Sequence, residues 1–173
     1  AVRRAIVPQA LIGDVAEALQ AKLEEKIIVG DPRNEQTTMG PLVSEDQAQD
    51  VKEALEKLID AGGNVITGGP DTISGAFMAP TVLTFDDARA ERVHDTEAFG
   101  PVVSIIGYTS IDDAIELAAL GKGSLVASVI THDPETAVAF TRGIASHHGR
   151  LHFLDREDAK TSTGHGSPLP HLI

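Results

Sequence analysis

Three features of the sequence predict an α/β fold built on an open, mostly parallel sheet flanked by helices. Strand-like and helix-like patterns alternate over residues 102–154, and a strand, helix, strand succession implies parallel crossovers with helices packed on the sheet. The runs VVSIIGY (102–108) and LVASVIT (125–131) are continuously apolar, as expected of strands buried on both faces. The composition, 42% hydrophobic and 23% charged over 173 residues, is that of a folded chain long enough to build a core.

The elements follow in order. Residues 2–8 (VRRAIVP) carry β-branched residues and stop at Pro8, which reads as a short strand. Leu11, Val15, Leu19, Leu23 and Ile27 then recur every four residues and mark one helical face. Residues 30–42 (GDPRNEQTTMGPL) form a loop by composition. Ser44 and Gln47 have capping-box spacing: the hydroxyl accepts from the third helical amide, and the Gln side chain reaches back. The helix they open carries Val51, Leu55, Leu58 and Ile59, and it ends at Gly62-Gly63, suited to a left-handed cap.

Residues 64–67 (NVIT) read as a strand. Residues 77–85 (FMAPTVLTF) read as an extended stretch that Pro80 pushes to an edge or interrupts. After the strand at 102–108, Ser110 caps a helix whose Asp112, Asp113 and Glu116 favour its positive end. Asp133-Pro134 opens a further helix, with Pro where a missing amide costs nothing. RLHFL (150–154) is the last predicted strand. The final twenty residues contain no closing helix, so the chain is expected to be part of a domain rather than a finished one.

Charge and composition exclude several functions. The net charge of −12 argues against a nucleic-acid partner, which requires a basic face. Residues 31–135 carry 19 acidic and 6 basic side chains and hold the whole excess, read as solvated helix and loop faces. No apolar run approaches the roughly 18–20 residues of a membrane span, so no membrane partner is expected. The opening AVRRAIVPQA lacks the apolar segment of a secretory signal, and a cytoplasmic location is expected. The chain has no Cys, which excludes disulfides, thiolate metal sites and a cysteine nucleophile among its own residues.

Few motifs carry chemistry by themselves. Glu97 and Phe99 precede the turn-forming Gly100-Pro101. A loop carboxylate can accept from a vicinal diol such as a ribose, and a nearby aromatic can lie against a flat ring. The competing structural reading makes Glu97 a solvated residue and Phe99 a core plug. Thr161 through Pro168 (TSTGHGSP) and Gly121 through Ser124 (GKGS) offer small residues that can cradle a phosphate, but neither completes a P-loop, and both also read as plain loops. His147, His148, His152, His165 and His171 cluster late without metal-ligand spacing, so no metal site is expected. No GxSxG elbow is present, and Asp86-Asp87 and Asp112-Asp113 read as caps. No catalytic residue is assigned within the chain.

Taken as a series, the segments resemble the aldehyde dehydrogenase superfamily. Gly30-Asp31-Pro32 with Met39-Gly40-Pro41-Leu42 is similar to that family's GDP and MGPL loop. Gly68-Gly69 with Gly75 and Pro80-Thr81-Val82-Leu83 is similar to its GG and PTVL segments. Glu97-Ala98-Phe99-Gly100-Pro101-Val102 matches its E-x-FGPV signature, and Ser110–Leu117 with Val126–Val129 parallels its DEAI and LAASV stretch. The tail from Asp155 to Pro170 resembles the phenylacetic acid degradation branch, the bifunctional PaaZ-type proteins in which a dehydrogenase is fused to a hydratase-like domain.

The resemblance implies part of an aldehyde dehydrogenase catalytic domain spanning residues 1–173, in a parent that uses NADP or NAD. The implied substrate is a small-molecule aldehyde, a CoA-linked semialdehyde in this branch. Glu97 would hold the nicotinamide ribose hydroxyls and Phe99 would pack against the nicotinamide. In the family a Cys thiolate attacks the aldehyde, hydride leaves to the nicotinamide and the thioester is hydrolysed. That Cys is expected just upstream of Ala1, with the general base and the dinucleotide-binding domain further upstream. The chain alone is therefore expected to be inactive and to bind nucleotide weakly. Apolar surface left by a missing partner should favour self-association, so a homo-oligomer is expected.

Two departures separate the chain from the wider family. Leu120 through Leu125 (LGKGSL) replaces a DTxYGL run, and Asp155 stands where many relatives have Asn. The wider family's aldehyde specificity is not carried over for that reason. The alternative from another class is a stand-alone acidic α/β module that binds a ligand or a partner without catalysis.

Overall fold

The chain folds, in a computed structural model that describes residues 2–158, into two compact units that divide between Thr109 and Ser110. The first unit contains β1 (Arg4–Pro8), α1 (Ile12–Lys26), α2 (Glu45–Asp60), β2 (Gly63–Thr67), β3 (Thr81–Phe85), α3 (Glu91–Asp95) and β4 (Val102–Tyr108). Its four strands lie in the order β1-β4-β3-β2. β1 and β3 both run parallel to β4, with Ile6 opposite Ile106 and Leu83 opposite Ser104, while β2 is antiparallel to β3.

Side-chain alternation along the strands divides the core into two layers. On one face Val82 and Ile105 pack with Ala16 of α1, joined by Val15, Leu19 and Leu23 of that helix. Those are the positions that recur every four residues in the sequence. On the other side, Val51, Leu55 and Leu58 of α2 are buried, as are Leu83, Phe85 and Ile106 of the strands. Gly63 is the tight point of this layer: a Cβ there would stand 2.8 Å from the Leu58 carbonyl and 3.0 Å from the Phe85 ring. β4 is buried along nearly its whole length, as its continuous apolar run predicts.

The caps form where the sequence places them. Ser44 Oγ accepts from the Gln47 amide at 3.1 Å, and Ser110 Oγ from the Asp113 amide at 3.1 Å. α2 ends on Gly62, at φ +99°, a left-handed conformation that glycine adopts without strain. Pro80 interrupts the extended stretch at 77–85, so β3 begins only at Thr81. It does not force an edge: β3 lies between β4 and β2. A proline just before the first residue of a strand removes no ladder bond, which is why an interior strand tolerates it.

The second unit contains α4 (Ile111–Ala119), β5 (Ser124–Ile130), α5 (Pro134–Ile144) and β6 (His148–Leu154). β5 and β6 run parallel, from Ser124 opposite His148 to Ile130 opposite Leu154, and α5 crosses between them. Asp133 caps α5, accepting from the amides of Glu135 at 3.3 Å and Thr136 at 3.0 Å. Gly143 lets α5 approach α4 closely, because a Cβ there would meet Ile115 Cγ2 at 2.3 Å.

Two expectations need correction. The alternation over 102–154 suggests a single sheet, but β4 belongs to the four-stranded sheet, and β5 and β6 form a separate two-stranded one. The crossover rule orders strands within a sheet and says nothing about where a sheet ends. The run at 125–131 suggests burial on both faces, yet Leu125 is 88% and Ile130 71% exposed. A two-stranded sheet covers too little surface to enclose both faces of its strands. Among the described residues no helix is long and apolar enough to cross a membrane.

Candidate cofactor-contact site

The loop between α3 and β4 carries both residues that the sequence singles out. α3 is only five residues long and ends where the Thr96 amide donates to the Arg92 carbonyl at 3.0 Å. The chain then passes through Glu97, Ala98 and Phe99, and turns into β4 through two tight bonds. The Gly100 amide donates to the Ala98 carbonyl at 2.7 Å, and the Val102 amide to the Gly100 carbonyl at 2.9 Å. The Pro101 carbonyl accepts from the Thr81 amide at 2.8 Å, which joins the loop to the start of β3.

Two further contacts pin the loop to α2. Gln47 Nε2 donates to the Phe99 carbonyl at 3.3 Å. Capping-box spacing assigned that side chain to the start of its own helix, and the structure turns it instead to the loop. A Cβ on Gly100 would lie 2.9 Å from Val51 Cγ2, so only glycine fits against the buried α2. No local pattern in the sequence announces either contact, because both partners are about fifty residues away.

Glu97 and Phe99 are both exposed, and both line a cleft of about 570 Å³. Arg3, Met39, Pro41 and Met78 complete much of its wall. Phe99 is 74% exposed, so it is not a core plug: the chain holds an aromatic ring in solvent on the same cleft as the Glu97 carboxylate. Burying an aromatic is one of the larger stabilising contributions a side chain makes. A ring kept out of the core on a fixed loop is thus poised for something other than this chain's own packing. Glu97 also lines a smaller neighbouring cleft of about 400 Å³ with Asp50, Glu53, Lys57, Arg92 and Asp95.

Beneath the loop lies a buried polar contact that the sequence does not signal. His94 of α3 is 5% exposed. Its Nε2 lies 2.8 Å from the Ala88 carbonyl, and its Nδ1 lies 2.6 Å from Arg4 Nη1. A carbonyl only accepts and a guanidinium only donates. The imidazole therefore carries its proton on Nε2 and accepts from Arg4 at Nδ1. Burial lowers the His94 pKa from the ordinary 6.5; the Ala88 bond opposes this, and the Arg4, Arg3 and Arg89 charges reinforce it. Burial, together with the neighbouring Arg3 charge, lowers the Arg4 guanidinium to about 10.

The remaining candidates fall elsewhere. Gly121–Ser124 is the connection between α4 and β5, with Lys122 at φ +56° and Gly123 at φ +119°. His147 pairs with its neighbour Ser146, and His148 Nδ1 donates to the Ile144 carbonyl at 3.0 Å. Among the described residues no three His, Cys, Asp or Glu side chains gather as a metal site. Asp155 Oδ1 accepts from the amides of Glu157 at 2.7 Å and Asp158 at 2.8 Å, closing a turn after β6. The 161–168 segment, His165 and His171 lie outside the described residues.

Comparison with known proteins agrees with this architecture. The chain is 44% identical over 138 residues to the protein MaoC of Klebsiella aerogenes, covering 78% of this chain and 41% of that protein. It is 38% identical over 181 residues to the 3,4-dehydroadipyl-CoA semialdehyde dehydrogenase of Aromatoleum evansii, covering 100% of this chain and 35% of that protein. Among solved structures it resembles an aldehyde dehydrogenase of Pseudomonas syringae in complex with NAD+ and octanal. There the identity is 33% and the TM-score 0.76, over 87% of this chain and 31% of that one. A glyceraldehyde-3-phosphate dehydrogenase of Methanocaldococcus jannaschii complexed with NADP matches with TM-score 0.78 and 28% identity, over 89% of this chain and 32% of that one. The chain thus spans between 31% and 41% of the length of these relatives. Residues 1–165 match the sequence profile of the Aldehyde dehydrogenase family, and the chain belongs to that family.

Proposed function

We propose that this chain supplies the later part of the catalytic domain of an NAD(P)-dependent aldehyde dehydrogenase, and that the Glu97–Phe99 loop is its nicotinamide contact. The observation that carries the reading is that the exposed Phe99 ring and the Glu97 carboxylate, two positions apart on a loop fixed at both ends, line the same cleft. The residues present fit such a ligand. Two carboxylate oxygens match the two hydroxyls of a ribose, and an exposed aromatic face matches a planar ring. When bound, the nicotinamide supplies a two-electron hydride acceptor. Glu97 fixes the sugar, Phe99 bounds the ring, and the clamped Gly100-Pro101 turn keeps both from drifting.

The substrate we propose is a CoA-linked semialdehyde of phenylacetate degradation, converted to the acid. Support comes from the relative named for 3,4-dehydroadipyl-CoA semialdehyde, to which the whole chain aligns. Either nicotinamide nucleotide is compatible with the solved relatives, one holding NAD+ and the other NADP. The chain has no Cys, so a thiolate that attacks the aldehyde comes from outside its 173 residues. A cytoplasmic homo-oligomer is the assembly we propose for the parent.

Two measurements test this. The purified chain with aldehyde and NADP or NAD should form no reduced nucleotide; aldehyde-dependent formation would overturn the reading of the chain as a catalytic part without its nucleophile. NMR of the chain at high nucleotide concentration should move the Phe99 ring resonances and leave those of buried Phe85 in place. Shifts confined to other parts of the chain, or equal shifts in a Phe99→Ala Glu97→Gln double variant, would remove the loop from the nucleotide site.

A further inference from the structure

We propose that His94 is a positioning residue: its neutral imidazole clasps α3 to the start of β1, holds the Glu97–Phe99 loop in place over the cleft, and lets go when Nδ1 takes up a proton. The functional meaning of the clasp rests on the nicotinamide reading of that loop, while its geometry stands apart from it. His94 lies at the next-to-last position of α3, three residues before Glu97, so a shift of α3 is passed directly into the loop. On its other side the ring receives Arg4, next in sequence to Arg3, which lines the same cleft. The imidazole thus ties the helix that leads into the Glu97–Phe99 loop to the strand that follows Arg3, and both Arg3 and the loop line the cleft.

Both nitrogens are committed. Nε2 donates to the Ala88 carbonyl at 2.8 Å and Nδ1 accepts from Arg4 at 2.6 Å. A proton on Nδ1 would place two donors face to face at that distance, one on imidazolium and the other on guanidinium. The charged groups acting on the ring are Arg4 and Arg3 from the β1 side and Arg89 from the turn before α3. All three are cations, and a protonated Nδ1 cannot accept from Arg4; the carboxylates of α3 and of the α2 helix packed on it, Asp95, Asp50 and Glu53, line the smaller cleft with Glu97. The ring is also buried, which removes water as an alternative partner. The lowered pKa has the same origin and sets the direction: the clasp is intact above the ordinary 6.5 of a free imidazole and opens as the pH falls below it.

The full 173-residue chain, isotopically labelled, provides the test. His94 is the one histidine among residues 1–109, so a histidine titration sensed by the amides of that stretch reports on it. The imidazole nitrogen shifts should show the proton on Nε2 at neutral pH and a transition below 6.5. The amides of residues 96–100 should follow the same transition. In His94→Gln, where the side chain keeps a donor and an acceptor but takes up no proton, the loop transition should disappear. A proton on Nδ1, a transition at or above 6.5, or loop amides that stay still while His94 titrates would each overturn the proposal. If His94→Gln does not fold, the wild-type titration decides by itself. No nucleotide enters this experiment, so its failure leaves the nicotinamide reading untouched, and loss of nucleotide shifts at Phe99 leaves the clasp untouched.

Discussion

Replacing Gly100 by alanine tests whether the Glu97–Phe99 loop is held by α2. The added Cβ would stand 2.9 Å from Val51 Cγ2, 3.1 Å from Val51 Cγ1 and 3.5 Å from Met78 Sδ. Val51 cannot give way easily: it is fully buried in α2, and a β-branched side chain in a helix has essentially one rotamer. The strain must then move the loop backbone outward or distort the α2 packing. Inserting a methyl into a filled core costs about 1–3 kcal/mol, and that is the expected loss for Gly100→Ala in urea unfolding followed by circular dichroism. Gly13→Ala is the matched control. It makes the same chemical change in α1, where nothing lies within 4 Å of the new atom. There the gain from restricting the unfolded chain should raise stability by about 0.4–1 kcal/mol. Opposite signs for the two variants are the expected result. A Gly100→Ala protein within about 0.5 kcal/mol of wild type, the range of an indifferent surface change, would refute the claim that Val51 pins the loop.

Three other outcomes follow from the same structure. Ser44→Ala removes the acceptor of the Gln47 amide and should cost about 1 kcal/mol, measured as a lowered thermal midpoint. Leu83→Ala, at a fully buried position of β3, should cost about 2–5 kcal/mol; a smaller loss in denaturant unfolding would mean that the core collapses around the cavity. The Thr136 hydroxyl and amide, with the Glu135 amide, hold the Asp133 carboxyl below its ordinary 3.8. A depressed folded-state value means that this contribution is complete above 3.8 and is lost as the pH falls further. Asp133→Asn should flatten that acid limb of the stability curve, and an unchanged acid slope would show that the cap is not coupled to folding.

Legibility in the sequence tracks the distance over which the cause acts. The caps at Ser44, Ser110 and Asp133 and the glycine stop after α2 are written within a few residues, and all are found in place. The apolar face of α1 at Val15, Leu19 and Leu23 and the buried character of β4 are also local patterns that appear as read, whereas Leu11, predicted on the same face, precedes α1 and is exposed. Gln47 shows the limit. Its spacing from Ser44 suits a capping box, yet its side chain serves a carbonyl fifty-two positions away. A long side chain chooses among acceptors that tertiary packing supplies, and no local rule can list them.

By itself the sequence determined an α/β chain without a thiol, the starts of α2, α4 and α5, the end of α2, most of its strands and the pairing of Glu97 with Phe99 on one short loop; the short helix α3 (Glu91–Asp95) was not read from it. Tertiary structure alone decided which strands share a sheet, leaving β5 and β6 apart and Leu125 and Ile130 exposed. It also decided that Phe99 stays in solvent and that His94 is buried between Arg4 and Ala88. The physical reason is common to all of these. Helices and caps are settled by hydrogen bonds between near neighbours, whereas strand partners, burial and proton placement depend on groups that only the folded chain brings within a few ångströms.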